Sequence, residues 1–547
     1  MHPIYDCIVV GSGPSGVQAA QTLLEGKMKV LMLDVGIKQD RFYQDNLPTN
    51  SFTQVRESDP NQHHYFLGKN LESVAKDWQN KQDRLTPPLA FTKELVDLWQ
   101  AKMDKDSSQN FMESLAKGGL GNAWGRGAFT FNEQELNKVG LSTIAMTPAY
   151  QKIAQRIGVS GTQGQGANLS TLLPPLFLDK SMRYLWNMYV QKRAHWERKG
   201  FALERTPLAV QSIPKKGRQD EKYWDIDFWS LGKSAGYHPG HTLDQLLQKE
   251  SFTYLSQHYV FKFKDQVDGV RVTAKHTGSL EEKTFYCKRL LLCASVLGTA
   301  RIVLNSLGAQ GQKRPLICNP FAYGIWLNTK MFGQQNSIEK SSFSQLSLFE
   351  RAPDATSFHL LNLYTYRSLL LTKLIKELPF SYRFSYQIFA IIKEMLVIGG
   401  LHLPEERHSQ NYIRLLPDET SPTGHILDIN YQHDDKPLKK AIRSVNKPLF
   451  KWGAIPIMTK YTASGSSKHY GGTFPFSTTA KEFCLSTDGR LHHTRHVYIG
   501  DASGFKYLPA KGPTLTIMAH AHHVANGLVK ERNKPLNLKT FSKKEEN

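Results

Sequence analysis

Residues 7–16 read CIVVGSGPSG, and this stretch decides the fold of the N-terminal part of the chain. Its apolar half predicts a buried parallel strand. The strand leads into the pattern G-x-G-x-x-G at Gly11, Gly13 and Gly16. A helical pattern, a second apolar strand and then Asp34 follow. Strand, glycine turn, helix, strand and acid in this order predict a dinucleotide-binding βαβ unit.

Each residue of this pattern has a physical role in holding a dinucleotide. Gly11 permits the tight turn, Gly13 lets a pyrophosphate approach the backbone, and Gly16 lets the helix pack closely. The helix N-terminus offers free N–H groups to the phosphates. Asp34 is suited to accept hydrogen bonds from the ribose hydroxyls and to repel a 2′-phosphate, which disfavours NADP. The motif alone leaves FAD and NAD open.

Composition narrows the class of protein. The chain has 547 residues, of which 40% are hydrophobic and 21% charged, and this is ordinary globular composition. Its five cysteines include no C-x-x-C pair, which excludes a disulfide scaffold or a cysteine zinc site and favours a reducing compartment. The N-terminus lacks the basic segment of a secretory signal. We therefore expect a cytoplasmic protein.

The formal net charge of +21 favours anionic partners of any kind. The basic residues are spread along the chain without a nucleic-acid-binding fingerprint, so we expect no nucleic-acid partner. Several histidines crowd the C-terminal part, but no carboxylate or cysteine ligands accompany them, so we expect no metal site.

Two later segments favour FAD over NAD. Residues 117–127 read KGGLGNAWGRG, a loop poor in bulky side chains that a flat ligand could approach closely. Residues 496–502 read HVYIGDA, a predicted strand that ends in Gly-Asp, and 511–519 read KGPTLTIMA, a predicted helix start. A long FAD molecule needs contacts from several parts of the chain, and a strand returning near the C-terminus can supply them.

These motifs, together with HYGGT at 469–473, resemble the glucose–methanol–choline (GMC) oxidoreductase family in order and spacing. Segments 147–161 and 287–306 also resemble family segments. The resemblance implies an α/β, doubly wound Rossmann-like FAD domain interleaved with an α+β substrate domain built on an antiparallel sheet. It places the FAD domain in 1–135, 236–310 and 485–530, and the substrate domain in 136–235 and 311–484. A charged tail would occupy 531–547.

The resemblance also implies the chemistry and the site. An alcohol CH–OH group would be oxidised to a carbonyl by hydride transfer to flavin N5, with His469 as the base that takes the hydroxyl proton. The helix that begins near Pro513 would point its positive end at the flavin. The residues implied to bind the cofactor are Gly11, Gly13, Gly16, Asp34, Gly119, Gly121, Asn122, Trp124, Val260, Gly500, Asp501, Pro513 and Thr514.

One position departs from the family pattern. The family normally carries His or Asn just before the Pro-x-x-Thr helix start, and this chain has Gly512 there. Lys511, Tyr470 or water are candidates to hold the substrate oxygen instead, although Lys511 is also interpretable as a solvated loop charge. The departure leaves open a second function, a flavin-binding scaffold without redox turnover. An enzyme that uses NAD through the first motif alone is a third reading.

The substrate and the electron acceptor are not fixed by any motif. A sugar-like and a lipid-like alcohol both fit the family. Residues 359–403 carry apolar residues at helical spacing with interspersed basic ones. They predict either two core-packing helices of the substrate domain or an amphipathic surface for peripheral contact with an anionic membrane.

Overall fold

A computed structural model of the chain provides the structure. It describes residues 5–37, 74–77, 82–85, 102–103, 111–122, 124–215, 217–223, 235–334, 341–352, 356–366 and 379–532.

The elements are numbered along the chain. The helices are α1 (Pro14–Glu25), α2 (Glu133–Val139), α3 (Thr143–Ile157), α4 (Lys180–Val190), α5 (Arg193–Arg198), α6 (Pro239–Leu246), α7 (Ser295–Ser306), α8 (Tyr382–Ile392), α9 (Asp435–Lys451) and α10 (Thr514–Arg532). The strands are β1 (Tyr5–Val10), β2 (Val30–Leu33), β3 (Val74–Asp77), β4 (Gln82–Leu85), β5 (Lys102–Met103), β6 (Phe201–Arg205), β7 (Phe252–Leu255), β8 (His258–Gln266), β9 (Gly269–His276), β10 (Glu282–Leu292), β11 (Arg314–Pro315), β12 (Ile317–Cys318), β13 (Phe321–Asn328), β14 (Leu346–Arg351), β15 (Phe358–Thr365), β16 (Leu396–His402), β17 (Glu405–Glu406), β18 (Tyr412–Pro417), β19 (His425–Asn430), β20 (Ala454–Tyr461), β21 (Tyr470–Gly471), β22 (Val497–Ile499) and β23 (Tyr507–Leu508).

The first large sheet places the glycine turn at its centre. Its strands lie in the order β7-β2-β1-β10-β9-β8, and β22 pairs with β10. The strands β7, β2, β1, β10 and β22 run parallel, whereas β8, β9 and β10 form an antiparallel meander. Strand β1 is buried from Cys7 to Val10 because β2 and β10 flank it and apolar residues cover both its faces.

Helices cover both faces of this sheet. On one face Cys7 and Val9 pack in a cluster with Val17 of α1 and Val524 of α10. On the other face Ile8 and Val10 share a cluster with residues of α7. This arrangement agrees with the predicted Rossmann-like unit.

The second large sheet is antiparallel, in the order β20-β13-β16-β15-β14-β6. One face carries a buried row that includes Trp326, Leu361 and Leu401, and this row packs with residues of helices α4 and α9. The opposite face carries Tyr323, Ile398 and alternate residues of the same strands, and it lines a large cavity. The sheet therefore separates a packed core from the candidate site.

The strands of the two sheets come from the predicted segments. The first sheet takes strands from 5–33, 252–292 and 497–499, and the second takes strands from 201–205 and 321–461. A short parallel pairing of β5 with β19 joins a strand at 102–103 to a smaller sheet that also contains β11 and β18. The domain limits themselves remain predictions.

The prediction of two helices in 359–403 is wrong. Strands β15 and β16 occupy the two ends of this segment, and α8 and a short 3₁₀ helix at Lys393–Met395 lie between them; residues 367–378 lie outside the described residues. Both faces of the strands are largely covered, one by helices and the other by the cavity lining and α8. Such strands carry nearly continuous apolar runs, which periodicity does not separate from a buried helix.

Two further points concern the surface and the C-terminus. Within the part of the chain that the structure describes, no helix is both long enough and apolar enough to cross a membrane. Helix α10 continues to Arg532, so the predicted start of the charged tail at 531 is two residues early. Residues 533–547 lie outside the described residues.

Candidate active site

A cavity of about 910 Å³ runs between the two large sheets. At one end its wall contains the glycine turn and Asp34, and at the other end it contains the cavity face of the second sheet. His469 and the start of α10 also lie in its wall. Residues from the chain's beginning, middle and end therefore meet in one space, as the motifs predict.

The glycine turn is shaped by close backbone packing. Gly11 has φ +98°, and a Cβ there would lie 2.6 Å from the carbonyl oxygen of Cys293. A Cβ on Gly16 would lie 1.9 Å from the carbonyl oxygen of Gly11. At Gly13 a Cβ would meet no protein atom within 4 Å, although Gly13 lies in the cavity wall. The turn thus leaves a cradle beside Gly13 at the N-terminus of α1.

Asp34 follows β2 and is held by a chain of hydrogen bonds. The Gly118 N–H donates to Ser12 Oγ at 2.9 Å, and the Ser12 hydroxyl donates to Asp34 Oδ2. The Tyr254 hydroxyl also donates to Asp34 Oδ2, at 3.1 Å. Burial raises the pKa of Asp34 to about 6, against the opposing effect of these hydrogen bonds. The carboxyl group is therefore fixed in the cavity wall at the end that contains the glycine turn.

The glycine-rich loop closes over the cavity. Its backbone forms a short 3₁₀ turn at Gly119–Asn122, and Trp124 Nε1 donates to the Tyr237 carbonyl at 2.8 Å. The Arg301 guanidinium makes a two-pronged ion pair with Glu113, with Nη1 2.7 Å from Oε1. This pair fixes the segment before the loop to α7, and sequence reasoning missed it because the two residues are distant in the chain.

The C-terminal motif supplies the remaining wall. Asp501 is buried, and its carboxylate accepts hydrogen bonds from Thr299 Oγ1 at 2.6 Å and from the Ser503 N–H at 2.9 Å. Burial raises its pKa, against the opposing effect of these bonds. Pro513 and Thr514, at the start of α10, lie in the same wall. The positive end of the helix thus faces the cavity.

These features fit FAD. The cradle at Gly13 and the helix N-terminus suit a pyrophosphate, and Asp34 suits a ribose. Val260 of β8 lies in the wall at that end, and Asp501 and the start of α10 lie further along. The predicted cofactor residues in the wall are Gly11, Gly13, Asp34, Gly119, Gly121, Trp124, Val260, Asp501, Pro513 and Thr514.

Three predicted cofactor residues lie behind the wall. Gly16 supports the turn as described above. Asn122 is buried, and its Nδ2 donates to the Lys117 carbonyl at 2.8 Å, so it braces the loop. A Cβ on Gly500 would lie 2.9 Å from Cys293 Sγ, so this glycine permits close packing of β22. Direct cofactor contact stays a prediction for these residues.

His469 lies in the cavity wall with a defined orientation. Its Nδ1 is 3.1 Å from Asn319 Oδ1. The Asn319 amide nitrogen donates to the carbonyls of Leu403 and Pro509, at 2.8 and 3.0 Å, which fixes its oxygen toward the imidazole. An amide oxygen only accepts, so His469 Nδ1 carries the hydrogen. Nε2 is therefore the nitrogen with a free lone pair.

Nε2 faces open space. A Cβ built on Gly512 would lie 3.9 Å from His469 Nε2 and would meet no closer atom. Burial lowers the pKa of His469 to about 4, with a smaller contribution from the charge of Lys468. The imidazole is therefore neutral at neutral pH and has its basic nitrogen on the cavity side.

Lys511 does not take the substrate-holding role considered for it, nor is it a solvated loop charge. Its side chain is 1% exposed, and Nζ lies 2.7 Å from Glu135 Oε2 and 3.1 Å from the Thr130 carbonyl oxygen. Glu135 Oε2 also accepts from the Asn132 N–H at the start of α2. Lys511 is thus a structural cation: it forms a buried ion pair with Glu135 and lies outside the cavity wall.

We expect Lys511→Met to destabilise the protein by about 3–5 kcal/mol, because the Glu135 carboxylate would remain buried without its cation. Urea unfolding of the Lys511→Met variant measures this loss. The double variant Lys511→Met, Glu135→Leu should regain most of the stability. Equal stability of the single variant and the unaltered protein would show that the pair does not hold α2.

Tyr470 lies in the cavity wall, but its hydroxyl is engaged elsewhere. It accepts a hydrogen bond from the Met112 N–H at 3.0 Å and donates to the Gly465 carbonyl at 3.1 Å. This geometry does not support the role of holding the substrate oxygen. Tyr470 instead ties the loop that carries His469 to the segment before the glycine-rich loop.

Sequence reasoning missed two residues beside His469. Asn319 precedes β13, and its role depends on carbonyls from two distant segments. His402 ends β16, lies in the cavity wall and stacks on His469 with ring centroids 5.0 Å apart. The alternation of Ile398, Gly400 and His402 along β16 is the signal that could have placed His402 on the cavity face.

The C-terminal histidines do not form a metal centre in the described ranges. No group of three or more His, Cys, Asp or Glu residues there has the geometry to hold a metal ion. His522 Nδ1 instead lies 2.7 Å from Thr22 Oγ1, and His520 packs edge-on against Phe476.

The fold and the cavity together combine a Rossmann-like nucleotide unit with a second, sheet-rich unit that lines the same cavity. Residues 407–521 match the family model described as GMC oxidoreductase. The resemblance stated from the motifs is thus confirmed for these residues, and the fit of the cavity wall to FAD agrees with it. No curated relative matches the chain in sequence.

Solved structures share the fold over nearly the whole chain. The chain is similar to pyridoxine 4-oxidase from Mesorbium loti, at 13% identity and a TM-score of 0.58, covering 96% of this chain and 99% of that one. An FAD-dependent oxidoreductase from Chaetomium thermophilum matches at 12% identity and a TM-score of 0.56, and the match covers 96% of this chain and 99% of that one. A formate oxidase from Aspergillus oryzae RIB40, an R554K variant, matches at 12% identity and a TM-score of 0.61, and the match covers 97% of this chain and 99% of that one.

Proposed function

We propose that the protein is an FAD-dependent enzyme that oxidises an alcohol CH–OH group to a carbonyl, with His469 as the base. The observation that carries the proposal is the orientation of His469: Asn319 holds its Nδ1–H, and Nε2 faces the open position at Gly512 inside the cavity. A base so placed has room for a hydroxyl group beside it.

The proposed reaction removes a proton and a hydride from the alcohol. The hydroxyl proton goes to His469 Nε2, and the oxygen keeps its electron pair to form the carbonyl. Bound FAD supplies the two-electron acceptor for the hydride. The Asn319 oxygen stabilises the imidazolium that forms, because it continues to accept from Nδ1–H. The start of α10 supplies a positive end in the wall where negative charge develops.

The pH dependence of flavin reduction should reflect the lowered pKa of His469. A base with pKa of about 4 is neutral, and active, above that pH and becomes protonated below it. We expect the rate of flavin reduction by alcohol to be constant from about pH 6 to 8 and to fall about tenfold per pH unit well below pH 4. Stopped-flow measurements across pH check this. A fall centred near pH 6.5 would contradict the desolvated setting of His469.

Turnover with a panel of alcohols tests the proposal. Purified protein is supplied with FAD, an artificial two-electron acceptor and sterols, long-chain alcohols, simple alcohols or sugars, and the carbonyl product is identified by mass spectrometry. We expect one class to yield stoichiometric carbonyl. A protein that binds FAD, is photoreduced normally and oxidises none of the alcohols would favour the scaffold function that Gly512 raises.

The cavity wall favours a lipid-like over a sugar-like alcohol. On the substrate side the wall carries the large side chains Phe321, Tyr323, Ile325, Tyr364 and Ile398. It also carries the polar residues Thr206, Ser344, Asn362 and Lys460, of which the first three hydrogen-bond among themselves or with Ser347. Burial of apolar substrate surface against such side chains contributes roughly 25 cal/mol per Å². A sugar would require a hydrogen-bonding partner for each buried hydroxyl group. We therefore propose a predominantly apolar substrate.

The cavity also adjoins an exposed apolar surface, which we propose contacts an anionic membrane. Phe389 of α8 belongs to a hydrophobic cluster against which Ile325 and Ile398 of the cavity wall pack. On the outer side, Phe384 is 50% exposed and Ile391 is 59% exposed. The net charge of +21 complements an anionic leaflet. A membrane at this surface would bring lipid-like alcohols close to the cavity.

Replacing two exposed apolar residues of α8 by glutamate tests the membrane contact. We expect Phe384→Glu combined with Ile391→Glu to reduce flotation with phosphatidylserine-containing vesicles at least about tenfold, because two apolar anchors are lost and two negative charges are added. Phe450→Glu is the matched control, since Phe450 is 56% exposed on α9, which packs on the opposite face of the second sheet. Equal flotation of the α8 variant and the control would contradict the contact.

A further inference from the structure

Gly512, just before α10, has no side chain, and no other residue fills the space that a side chain there would take. A Cβ built there would have its nearest neighbours at 3.9 Å, namely the Gly127 carbonyl oxygen and the His469 ring atoms Cε1 and Nε2. A polar side chain at this position would lie beside the basic nitrogen. Its absence leaves the substrate oxygen with no second partner from α10.

A second imidazole lies on the other side of His469. His402 stacks on the His469 ring, with centroids 5.0 Å apart and planes at 21°. Phe321 stacks on the far face of His402, with centroids 4.4 Å apart and planes at 25°. The two imidazoles and the phenyl ring therefore form one column in the cavity wall, with β13 and β16 contributing Phe321 and His402 as directly paired residues.

His402 has unused hydrogen-bonding capacity. Its Nδ1 is buried and has no hydrogen-bond partner among the described residues. Because Nδ1 is shielded from the cavity, the nitrogen available to a ligand there is Nε2, which also has no hydrogen-bond partner among the described residues. Burial, and to a lesser degree the neighbouring His469, lowers the pKa of His402 well below its usual value. A neutral imidazole has one N–H to donate and one nitrogen to accept.

We propose that His402 holds the substrate's hydroxyl oxygen beside His469 and so supplies from the second sheet the polar contact that Gly512 does not supply from α10. His402 donates an N–H to the oxygen, and His469 Nε2 receives the hydroxyl proton. The hydrogen bond strengthens as negative charge develops on that oxygen. This inference rests on the proposed alcohol oxidation and assigns the oxygen-holding group within it.

Flavin reduction and a transplanted histidine test the assignment. With an alcohol that the unaltered protein oxidises, His402→Ala should slow anaerobic flavin reduction about 100-fold, the usual effect of losing one such donor. Adding Gly512→His to His402→Ala should raise the rate of flavin reduction at least tenfold above that of His402→Ala alone, because position 512 has space beside His469 Nε2. A loss caused only by loosened packing would not be restored by a side chain on another element.

The control is His359→Gln. His359 lies on β15, adjacent to the residue that pairs with His402, but contacts Glu350 at 3.0 Å and lies outside the cavity wall. We expect its flavin reduction to remain unchanged. FAD content and photoreduction should be the same in all variants. Reduction by His402→Ala within twofold of the unaltered protein, with FAD bound, would overturn the proposal.

A binding measurement separates this proposal from the proposed function. Trifluoroethanol is an acidic alcohol that serves as a probe of the oxygen site, and its ¹⁹F line width reports binding without turnover. We expect binding to weaken at least tenfold in His402→Ala and to recover with Gly512→His. Failure of every alcohol to reduce the unaltered protein would refute the oxidation, whereas equal trifluoroethanol binding in His402→Ala would refute the role of His402.

Discussion

His469→Ala is expected to slow the reduction of bound flavin by alcohol about 10²–10⁴-fold, the range typical for loss of a general base. The cause is specific: Nε2 is the nitrogen that faces the open position at Gly512, and Asn319 holds the other nitrogen. Without the imidazole the hydroxyl proton loses the acceptor that His469 Nε2 provides. Anaerobic stopped-flow measurement of the flavin band gives the rate directly.

The control for this variant is His408→Ala, since His408 is exposed and lies outside the cavity wall. Its rate should equal that of the unaltered protein. Photoreduction should be identical in both variants, because light-driven reduction needs no substrate base. A His469→Ala protein that retains bound FAD and an unchanged rate would contradict the assignment of the base.

Gly13→Ala is expected to weaken FAD binding about tenfold to hundredfold while leaving the fold of the cofactor-free protein intact. The added methyl group would meet no protein atom within 4 Å, so folding is not obstructed. It would instead occupy the cradle at the start of α1, and overpacking of this kind costs about 1–3 kcal/mol. Titration of cofactor-free protein with FAD measures the affinity, and thermal unfolding measures stability.

Two other glycines provide the comparison. Gly16→Ala should destabilise the cofactor-free protein, since its Cβ would lie 1.9 Å from the Gly11 carbonyl oxygen. Gly527→Ala places a methyl group in open space on α10 and should change neither FAD binding nor folding adversely. Unchanged FAD affinity in Gly13→Ala would show that the phosphates do not approach the backbone at this turn.

The sequence predicted the parts of the site that are built from contiguous motifs. The turn at Gly11–Gly16, Asp34 after β2 and Asp501 after β22 all meet in the cavity wall or support it, because local order fixes a strand, its turn and the next helix. His469 could be predicted from its motif for the same reason. The helix start near Pro513 also lies where the pattern indicated.

What could not be predicted depends on long-range pairing. His402 reaches His469 only because β16 pairs with β13 in the second sheet. The sequence suggested Lys511 either as a group that holds the substrate oxygen or as a solvated loop charge, but its partner Glu135 lies in a helix distant in the chain. When a charged residue lies beside a cofactor motif, the sequence alone does not show whether it forms an ion pair with a buried residue elsewhere in the chain. Strands that are covered on both faces, such as β15, could not be predicted either, because their nearly continuous apolar residues are also compatible with a buried helix.

The most direct test of the central claim is the visible spectrum of the purified protein, recorded anaerobically before and after addition of an alcohol from the panel. We predict a flavin band at about 450 nm that a lipid-like alcohol bleaches, because the bound cofactor accepts the hydride. Bleaching should be accompanied by one equivalent of carbonyl product. A protein that shows no flavin band after incubation with FAD would contradict the account.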